Sequence, residues 1–405
     1  MNKTKLLILS ISIKGMLLQI FFWFGSCTYM AFMVTTLIDY GWSAGGAAAA
    51  MTAMAVIAML VQPVYGFISD KYFSEKILSV SLLMVTAVCF VLLPFSLRSG
   101  NMPLILLNMA GITVTGMQIN GLLDAWIVGL KQEFQTINYG LIRGCGSFAY
   151  ALSAQLMGAV TVTFYHDMRL WIGGGVILLT VIIALTFRSA RRFNKADAGE
   201  KPVNKINGAQ ALKLIFSSKQ YCLLLGVSFF LLLSNAAITT LIQLLTRDFG
   251  GTAAQIGTAT AVMAFSEVPA MFLMAFIIKK IGYKKLMFIC SIAYVIRMII
   301  NASIASVNGL IFVQLLQGLS YAVLIPVAMS YLSQIVDERV RSTAVTIYTA
   351  VTAALTSILG NLITSSFLAA GLSAQSTLIF FTFSSLIGLS LVLYGSVRKI
   401  WELTG

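Results

Sequence analysis

Residues 66–76 read Gly-Phe-Ile-Ser-Asp-Lys-Tyr-Phe-Ser-Glu-Lys and separate two long apolar runs, residues 43–68 and 77–97. Each run is at least as long as the roughly 20 residues that an α-helix needs to cross the hydrocarbon core of a bilayer. The segment between the runs is short and carries four charged residues. This arrangement is typical of a loop that connects two membrane-spanning helices.

The rest of the chain repeats this alternation. Hydrophobic residues make up 59% of the 405 residues and charged residues only 10%, whereas a soluble domain carries about 25% charged residues. The composition excludes a soluble enzyme, a disordered chain and a secreted disulfide scaffold. Continuous apolar runs of helix length also argue against a membrane β-barrel. Twelve spans are predicted at residues 15–38, 43–68, 77–97, 102–129, 137–164, 170–187, 220–246, 252–278, 286–304, 308–334, 342–369 and 376–397.

The positive charges indicate the orientation of these spans. Of the 27 lysines and arginines, 22 fall in the termini and in alternate loops, three in the other loops or span ends, and two inside spans. The positive-inside rule therefore places both termini in the cytoplasm. The same distribution explains the net charge of +14 without nucleic-acid binding, because no basic arm or face is present. With one histidine and five scattered cysteines, neither a metal nor a cofactor is expected.

The longest polar stretch divides the predicted spans into two sets of six. It runs over residues 188–219 and contains eight basic and two acidic residues. We predict six-helix bundles at residues 1–188 and 220–405 and a basic cytoplasmic linker at residues 189–219, with a short interfacial helix near residues 209–216. The loop at residues 279–285 is basic and occupies the same place in its half as residues 66–76. Related halves of this kind are typical of secondary transporters.

Residues 66–76 resemble the loop motif of the major facilitator superfamily, G-x-x-x-D-(K/R)-x-x-x-(K/R). Residues 62–71, 139–152, 266–269 and 296–298 are similar to motifs of its lactose-permease-like group, which contains oligosaccharide:proton and nucleoside:proton symporters and aromatic-acid carriers. The resemblance implies an all-α protein of the cytoplasmic membrane with a solute cavity between its two halves.

Four charged residues lie well inside predicted spans: Asp124, Arg143, Glu267 and Arg297. A charge at the bilayer centre costs about 2.5–3.5 kcal/mol on insertion scales, so such residues are usually paired and functional. Each half contains one acid and one base in adjacent spans. The alternative interpretation is a pair of ion pairs that only fix helix packing.

The N-terminal pair has neighbours suited to a polyhydroxylated ligand. Asn120 lies one helical turn before Asp124, and Tyr150 lies two turns after Arg143. A guanidinium donates several directed hydrogen bonds, and an aromatic ring offers an apolar face to a sugar or a base. In lactose permease the residues that match Asp124, Arg143 and Tyr150 bind the sugar, so the resemblance implies this role here.

The resemblance also implies that Glu267 and Arg297 serve substrate binding and coupling. However, Gln314, Gln317 and Ser320 stand where the permease has a charged coupling relay, and uncharged residues near Asn235 replace its span-seven acids. Coupling therefore depends on Glu267 or Asp124 alone, uses sodium, or is absent. Further candidate ligand contacts are Trp23, Tyr29, Gln317 and Asn235. Candidate gating residues at the cytoplasmic span ends are Asp70, Lys71, Lys76, Asp337 and Arg341.

The leading hypothesis is therefore proton-coupled uptake of a disaccharide, oligosaccharide or glycoside by alternating access. The partners are a small polar solute, a proton or sodium ion and the lipid bilayer, and a monomer is expected. The alternatives are a nucleoside or aromatic-acid symporter, a multidrug or metabolite exporter of the same fold, and a receptor that does not transport. An enzyme is not expected, because no nucleophile–base constellation or phosphate loop is visible.

Overall fold

The structure is a computed structural model that describes residues 3–117, 119–134, 136–188 and 208–401. Within these ranges every regular element is a helix. The predicted linker lies mostly outside the described residues, at 189–207. Only the backbone is described at Asp70 and Lys71.

The first half of the chain contains helices α1 to α7, and the side-chain caps fit their sequence signals. Asn101 accepts a hydrogen bond from the backbone N–H of Leu104 (3.2 Å) at the start of α5, and Gly100 ends α4 with a φ of 65°, which favours glycine. The helices are Lys3–Met30, Met33–Asp39, Ala44–Lys71, Glu75–Ser99, Met102–Ile112, Asn120–Glu133 and Tyr139–Thr186.

A π-helical segment, Thr113–Met117, interrupts the predicted fourth span between α5 and α6. Thr115 bonds back to the carbonyl of Gly111 (2.8 Å) and also to the hydroxyl of Thr86 (2.9 Å). Side-chain bonds to the preceding turn compete with the regular helical pattern and commonly bend a helix. The sequence predicted one uninterrupted span over residues 102–129, so the π-helical segment is a departure from that prediction, whereas Asn120 and Asp124 both lie in α6 and keep their spacing of one turn.

Helix α7 covers two of the predicted spans. It has 48 residues and contains a kink at Tyr165, whose φ is 78° and ψ is 167°. At 1.5 Å per residue, a straight helix of this length would measure about 72 Å. The kink falls at the break between the predicted spans at residues 137–164 and 170–187.

The second half contains helices α8 to α16. Helix α8 lies where the sequence predicted an interfacial helix, and Ala211 and Ile215 of α8 are buried against the neighbouring core. The helices are Gly208–Ser217, Lys219–Asp248, Ala253–Ile281, Tyr283–Ser303, Val307–Val313, Tyr321–Ile335, Arg341–Thr349, Thr356–Ala369 and Ala374–Val397. A 3-10 segment, Gln314–Gly318, joins α12 to α13, and a π-helical segment, Ala350–Leu355, joins α14 to α15.

Ten helical segments of the described chain are long and apolar enough to cross a membrane. The sequence predicted twelve spans. The count differs at two places: α7 counts once although two spans were predicted there, and α10 is not among the ten. Helix α10 carries Glu267, Lys279 and Lys280.

The helices form two compact units. The first contains Met1–Ser43, Ala53–Asn194 and Gly251–Ala264, and the second contains Ala44–Thr52, Lys195–Gly250 and Phe265–Gly405. In the first unit, helices α1, α7 and the start of α10 share an apolar cluster of mostly small side chains that includes Ala151 and Ala154. In the second, α9, α11 and α13 bury three tyrosines, Tyr221, Tyr294 and Tyr331, among aliphatic side chains.

Candidate functional site

In each unit a polar cluster surrounds the charged residues that the sequence predicted inside spans. In the first unit, the cluster consists of Gln19, Trp23, Asp124, Arg143 and Tyr150, and we call it the Asp124 site. In the second unit, the cluster consists of Asn235, Glu267, Arg297, Gln314 and Gln317, and we call it the Arg297 site. The sequence predicted eight of these ten residues as ligand contacts; Gln19 and Gln314 were not in that set.

The Asp124 carboxylate has a different partner on each oxygen. Nε2 of Gln19 donates to Oδ1 (3.1 Å), and Nε of Arg143 lies 3.7 Å from Oδ2. Three helices, α1, α6 and α7, therefore meet at one acid.

Trp23 connects the ionic and aromatic parts of this site. Its indole N–H donates to Oε1 of Gln19 (2.9 Å), and Cζ of Arg143 lies 4.6 Å from the centre of its ring system. This separation is within the range of a cation–π interaction. The Tyr150 ring packs edge-on against Trp23 at a centroid distance of 6.0 Å.

Glycine at position 146 makes room for this tryptophan. A Cβ atom at Gly146 would lie 3.2 Å from Nε1 of Trp23 and closer still to a neighbouring ring carbon, so the close approach of α1 to α7 requires the absence of a side chain. Because Arg143 lies on the same helix one turn earlier, this contact also sets Trp23 beside the guanidinium.

The acid and base of the Asp124 site are partly exposed, whereas Gln19, which binds the acid, is buried. The side chains of Asp124 and Arg143 are 23% and 30% exposed, whereas Gln19 is fully buried. Asn120 lies one turn before Asp124 on α6. Among the described residues, its Oδ1 atom is buried and has no hydrogen-bond partner. This atom is an acceptor that a ligand hydroxyl could satisfy.

In the Arg297 site the guanidinium is surrounded by amides. Nη1 donates to Oδ1 of Asn235 (3.0 Å) and to Oε1 of Gln317, and Nη2 donates to Oε1 of Gln314 (2.8 Å). Arg297 is only 1% exposed. A buried charge is tolerated when fixed dipoles replace its hydration, and the three amide oxygens supply them.

Gln317 also connects this arginine to the acid of the same unit. Its Nε2 atom donates to Oε1 of Glu267 (2.8 Å). The Gln317 amide therefore accepts a hydrogen bond from Arg297 through its oxygen and donates one to Glu267 through its nitrogen. A neutral amide can do both because it carries an acceptor and a donor. Glu267 itself is partly exposed.

The local helix geometry brings the two glutamines together. Gln314 and Gln317 lie three residues apart in the 3-10 segment, where residues i and i+3 eclipse each other. Both amides therefore face the same guanidinium. A further amide supports them, because Gln314 donates to Oδ1 of Asn301 (3.0 Å) and Asn301 donates to the carbonyl of Arg297 (2.8 Å).

The remaining predicted site residues lie apart from these clusters. Tyr29 is buried with its ring against Phe90, at a centroid distance of 6.1 Å. Nζ of Lys76 donates to the carbonyls of Leu185 and Phe187, at 2.7 Å each, and so satisfies the C-terminal end of α7. The side chains of Asp70 and Lys71 lie outside the described residues.

The predicted gating residues of the second half lie in and after the loop that follows α13. Arg339 binds Asp337 through Nη2 (2.6 Å) and through its backbone N–H (2.9 Å). These hydrogen bonds lower the pKa of the Asp337 carboxyl to about 2, and Arg341 at the start of α14 adds to the effect. Asp337 is therefore ionised throughout the physiological range.

Some members of these clusters could not have been ranked from the sequence. Gln19 was one of several polar residues in apolar runs, and its position one turn before Trp23 was its only signal. Asn301 gave none. Within the described residues, no group of three or more His, Cys, Asp or Glu side chains could hold a metal ion.

Comparison with known proteins identifies the family. The model of the MFS_1 like family matches residues 11–390, so the chain belongs to this family of major facilitator transporters. It is a multi-pass protein of the cytoplasmic membrane and a transporter rather than an enzyme.

Two relatives are similar in sequence. The uncharacterized transporter YwbF of Bacillus subtilis (strain 168) is 24% identical over 296 residues, which is 73% of this chain and 71% of that protein. The maltose permease of Geobacillus stearothermophilus is 28% identical over 220 residues. That match covers 53% of this chain and about half, 52%, of the permease.

Solved structures share the fold. The nucleoside transporter NupG aligns with a TM-score of 0.72 at 15% identity, over 94% of this chain and 98% of that chain. The D-xylose-proton symporter aligns with a TM-score of 0.70 at 14% identity, over 98% of both chains.

Proposed function

We propose that this transporter takes up a neutral sugar-like solute, a disaccharide, oligosaccharide or glycoside, together with a proton. The observation that carries the proposal is the Asp124 site, in which a partly exposed acid–base pair lies beside two aromatic rings. Such a site offers directed donors, an ionised acceptor and an apolar face. The name of the maltose permease relative is consistent with a solute of this kind.

The proposal includes twelve spans with both termini in the cytoplasm. The kinked α7 is long enough for two crossings of a hydrocarbon core of about 30 Å, and α10, with 29 residues, is long enough for one. Counting α7 twice and adding α10 brings the ten segments to twelve. Six-helix halves at residues 1–188 and 220–405, joined by the basic linker, then rock about a solute site as in other secondary transporters.

Solute recognition falls to the Asp124 site in this proposal. Hydroxyl groups of the solute would insert into the long 3.7 Å contact between Arg143 and Asp124. Oδ1 of Asn120 would accept a hydrogen bond from a further hydroxyl group. Trp23 would stack on the C–H face of the sugar. A nucleoside is the second candidate solute, because the same indole ring could stack on a base.

Coupling requires a carboxyl group that gains and loses a proton, and Glu267 and Asp124 are the two candidates. Glu267 accepts a hydrogen bond from Gln317, which in turn is bound to the fixed charge of Arg297. Protonation of Glu267 would weaken this connection, and the 3-10 segment that carries Gln317 would be free to move. Sodium remains the alternative coupling ion.

The test measures external pH in lightly buffered, energy-depleted cells that express the full chain, while maltose, xylose, uridine and benzoate are added one at a time. Alkalinisation with maltose or xylose, lost in Glu267→Gln or Asp124→Asn, is the expected result. Asp248→Asn is the matched control, because this exposed acid at the end of α9 lies outside both sites.

Other outcomes would contradict parts of the proposal. Radiolabelled uptake without any pH change would exclude proton coupling and favour sodium. Alkalinisation with uridine alone would assign the nucleoside class. A third outcome would be that no solute is taken up or changes the pH, while cells lacking the gene become more sensitive to toxic compounds. This outcome would replace the proposed uptake function with export.

A further inference from the structure

A cavity lies in the first unit, at the end where α2 and α4 terminate and α7 kinks. Its volume is about 380 Å³, and its lining includes Tyr40, Arg98, Tyr165, Asp167 and Trp171. We call it the Trp171 pocket. Its volume is within the range of small-molecule sites, and none of its lining residues belongs to the Asp124 site.

The Trp171 pocket repeats the chemistry of the Asp124 site with different residues. Cζ of Arg98 lies 5.8 Å from the centre of the Trp171 ring system, and Arg98 forms an ion pair with Asp167. The hydroxyl of Tyr40 donates to the other oxygen of Asp167 (2.9 Å). An arginine stacked on a tryptophan, an aspartate paired with that arginine, and a tyrosine are thus present twice.

The exposure of the groups also matches a binding site. The side chain of Asp167 is 6% exposed and that of Arg98 is 54% exposed, so the acid anchors the guanidinium while the remaining N–H groups face outward. Trp171 as a whole residue is 37% exposed. The pocket therefore presents free donors and one aromatic face.

The backbone of α7 is strained where it borders this pocket. Tyr165 has a φ of 78°, which is unfavourable for a residue with a side chain and persists only where surrounding packing holds it. The resulting kink turns the Tyr165 ring to the pocket wall. The two sites are well separated along α7, because the 15 residues from Tyr150 to Tyr165 correspond to about 22 Å of helix.

The balance of charge favours a neutral ligand. Four formal charges lie at this end of the unit, Asp39, Arg98, Asp167 and Arg169, and they sum to zero. His166 is 3.0 Å from Asp39. An anion such as a lipid phosphate would place a second negative charge beside the Asp167 carboxylate, whereas a neutral hydroxyl can accept from the exposed N–H groups of Arg98 without that cost.

We propose that the Trp171 pocket is a second, weaker site for the same neutral, ring-shaped, polyhydroxylated solute, which it captures on its way to the Asp124 site. This inference rests on the proposed function and its orientation, in which the ends of α2 and α4 face outward. The weaker binding follows from the greater exposure of Arg98, because water competes for its donors.

The test compares equilibrium binding of radiolabelled maltose to the purified full-length protein with the KM and kcat of maltose uptake. The wild-type protein should bind maltose with two affinities. Trp171→Leu should lose the weaker class, and its uptake KM should rise about two- to tenfold, the effect expected for one lost aromatic contact, with kcat unchanged. Asp124→Asn should retain only the weaker class.

A second variant guards against a folding defect. Arg98→Gln combined with Asp167→Asn removes both members of the ion pair and keeps the summed formal charge at this end of the unit at zero. This variant should keep the wild-type Tm and show the same loss of the weaker class. Trp126→Phe is a matched control, because Trp126 is a buried tryptophan whose N–H binds the carbonyl of Arg188 away from the pocket.

Three results would overturn the inference. The first result is maltose uptake by a protein that binds maltose with a single affinity and whose KM neither pocket variant changes. This result would contradict the second site and leave the proposed function intact. The pocket would be assigned to lipid if the pocket variants bind maltose as the wild type does but lose a bound lipid that native mass spectrometry detects on the wild-type protein. The absence of binding and uptake of both maltose and xylose would overturn the sugar proposal and the pocket together.

Discussion

The Asp124 and Arg297 sites have the same connectivity and opposite accessibility. In each, a glutamine amide accepts from a donor and donates to a carboxylate: Trp23 to Gln19 to Asp124, and Arg297 to Gln317 to Glu267. In the Asp124 site, however, the arginine is 30% exposed and stacks on a ring. In the Arg297 site it is buried among three amides.

This difference in exposure suggests different roles for the two sites in transport. Arg143 has donors and an aromatic neighbour that a ligand can engage, so we propose that its site serves recognition. Both terminal nitrogens of Arg297 donate to amides within the protein, so we propose that its site responds to the charge of its own acid instead. The two sites can be separated by variants that remove equivalent members.

The largest effect is expected for Arg297→Gln. The change leaves three amide oxygens without their donor in a buried position, and loss of one member of a buried charged network costs about 3–5 kcal/mol. We expect a Tm in detergent that is lower by several degrees and a loss of uptake. Arg143→Gln is the matched change and should abolish uptake with little change in Tm, because water can reach the partly exposed site. Equal losses of Tm would contradict the proposed difference.

The two bridging glutamines should separate coupling from recognition. Gln317→Leu removes the donor to Glu267, and a lost hydrogen bond to a charged group corresponds to about 1.5–3 kcal/mol, or roughly 10- to 150-fold. We expect proton-driven uptake to fall by about this factor while solute exchange without a gradient persists. Gln19→Leu should raise the KM of both reactions. If Gln317→Leu impairs exchange as severely as net uptake, the coupling role is wrong.

Trp23 tests the aromatic part of the Asp124 site. Replacement by leucine removes the stacking face, an effect of about 0.5–1.5 kcal/mol, so KM for a sugar should rise roughly two- to tenfold. Trp23→Phe keeps a ring and loses the N–H bond to Gln19, and it should retain most of the affinity. A phenylalanine variant as weak as the leucine variant would mean that the indole N–H, rather than the ring, carries the contribution. Uptake kinetics at several solute concentrations distinguish the two.

The smallest effect is expected for Lys76→Met. Lys76 satisfies two carbonyls at the C-terminal end of α7, the helix that carries Arg143, and a cation at such a position contributes about 0.3–1 kcal/mol. A small decrease in Tm that shrinks with added salt is the expected result. Lys14→Met, which removes a bond of 3.0 Å to the carbonyl of Thr186, should have a similar effect. A large loss of uptake at unchanged Tm would instead support the predicted gating role of Lys76.

The helices were predictable because their signals are local. The predicted spans at residues 77–97 and 376–397 lie within α4 and α16, Glu75–Ser99 and Ala374–Val397, since long apolar runs and capping side chains such as Asn101 act over a few residues. The π-helical segment Thr113–Met117 was not predictable. It depends on a hydrogen bond between Thr86 and Thr115, which lie on different helices.

The same distinction holds for the two sites. Asp124, Arg143, Glu267 and Arg297 stood out because a charge in an apolar run is costly wherever the helix packs. Gln317 was predicted as a ligand contact, but its contacts with Arg297 and Glu267 depend on how the 3-10 segment packs between α9, α10 and α11. Gln19 was not predictable because a glutamine gains its role only from the two groups it connects.

The apolar runs, the family resemblance and the four charges that the bilayer makes expensive can all be read along the chain, because hydropathy, caps and charge act locally. The partners of those charges, their exposure, and the second meeting of an arginine, a tryptophan and an aspartate at the Trp171 pocket follow from how the helices pack. These depend on contacts between residues 69 or 105 positions apart, and such contacts are set by helix packing.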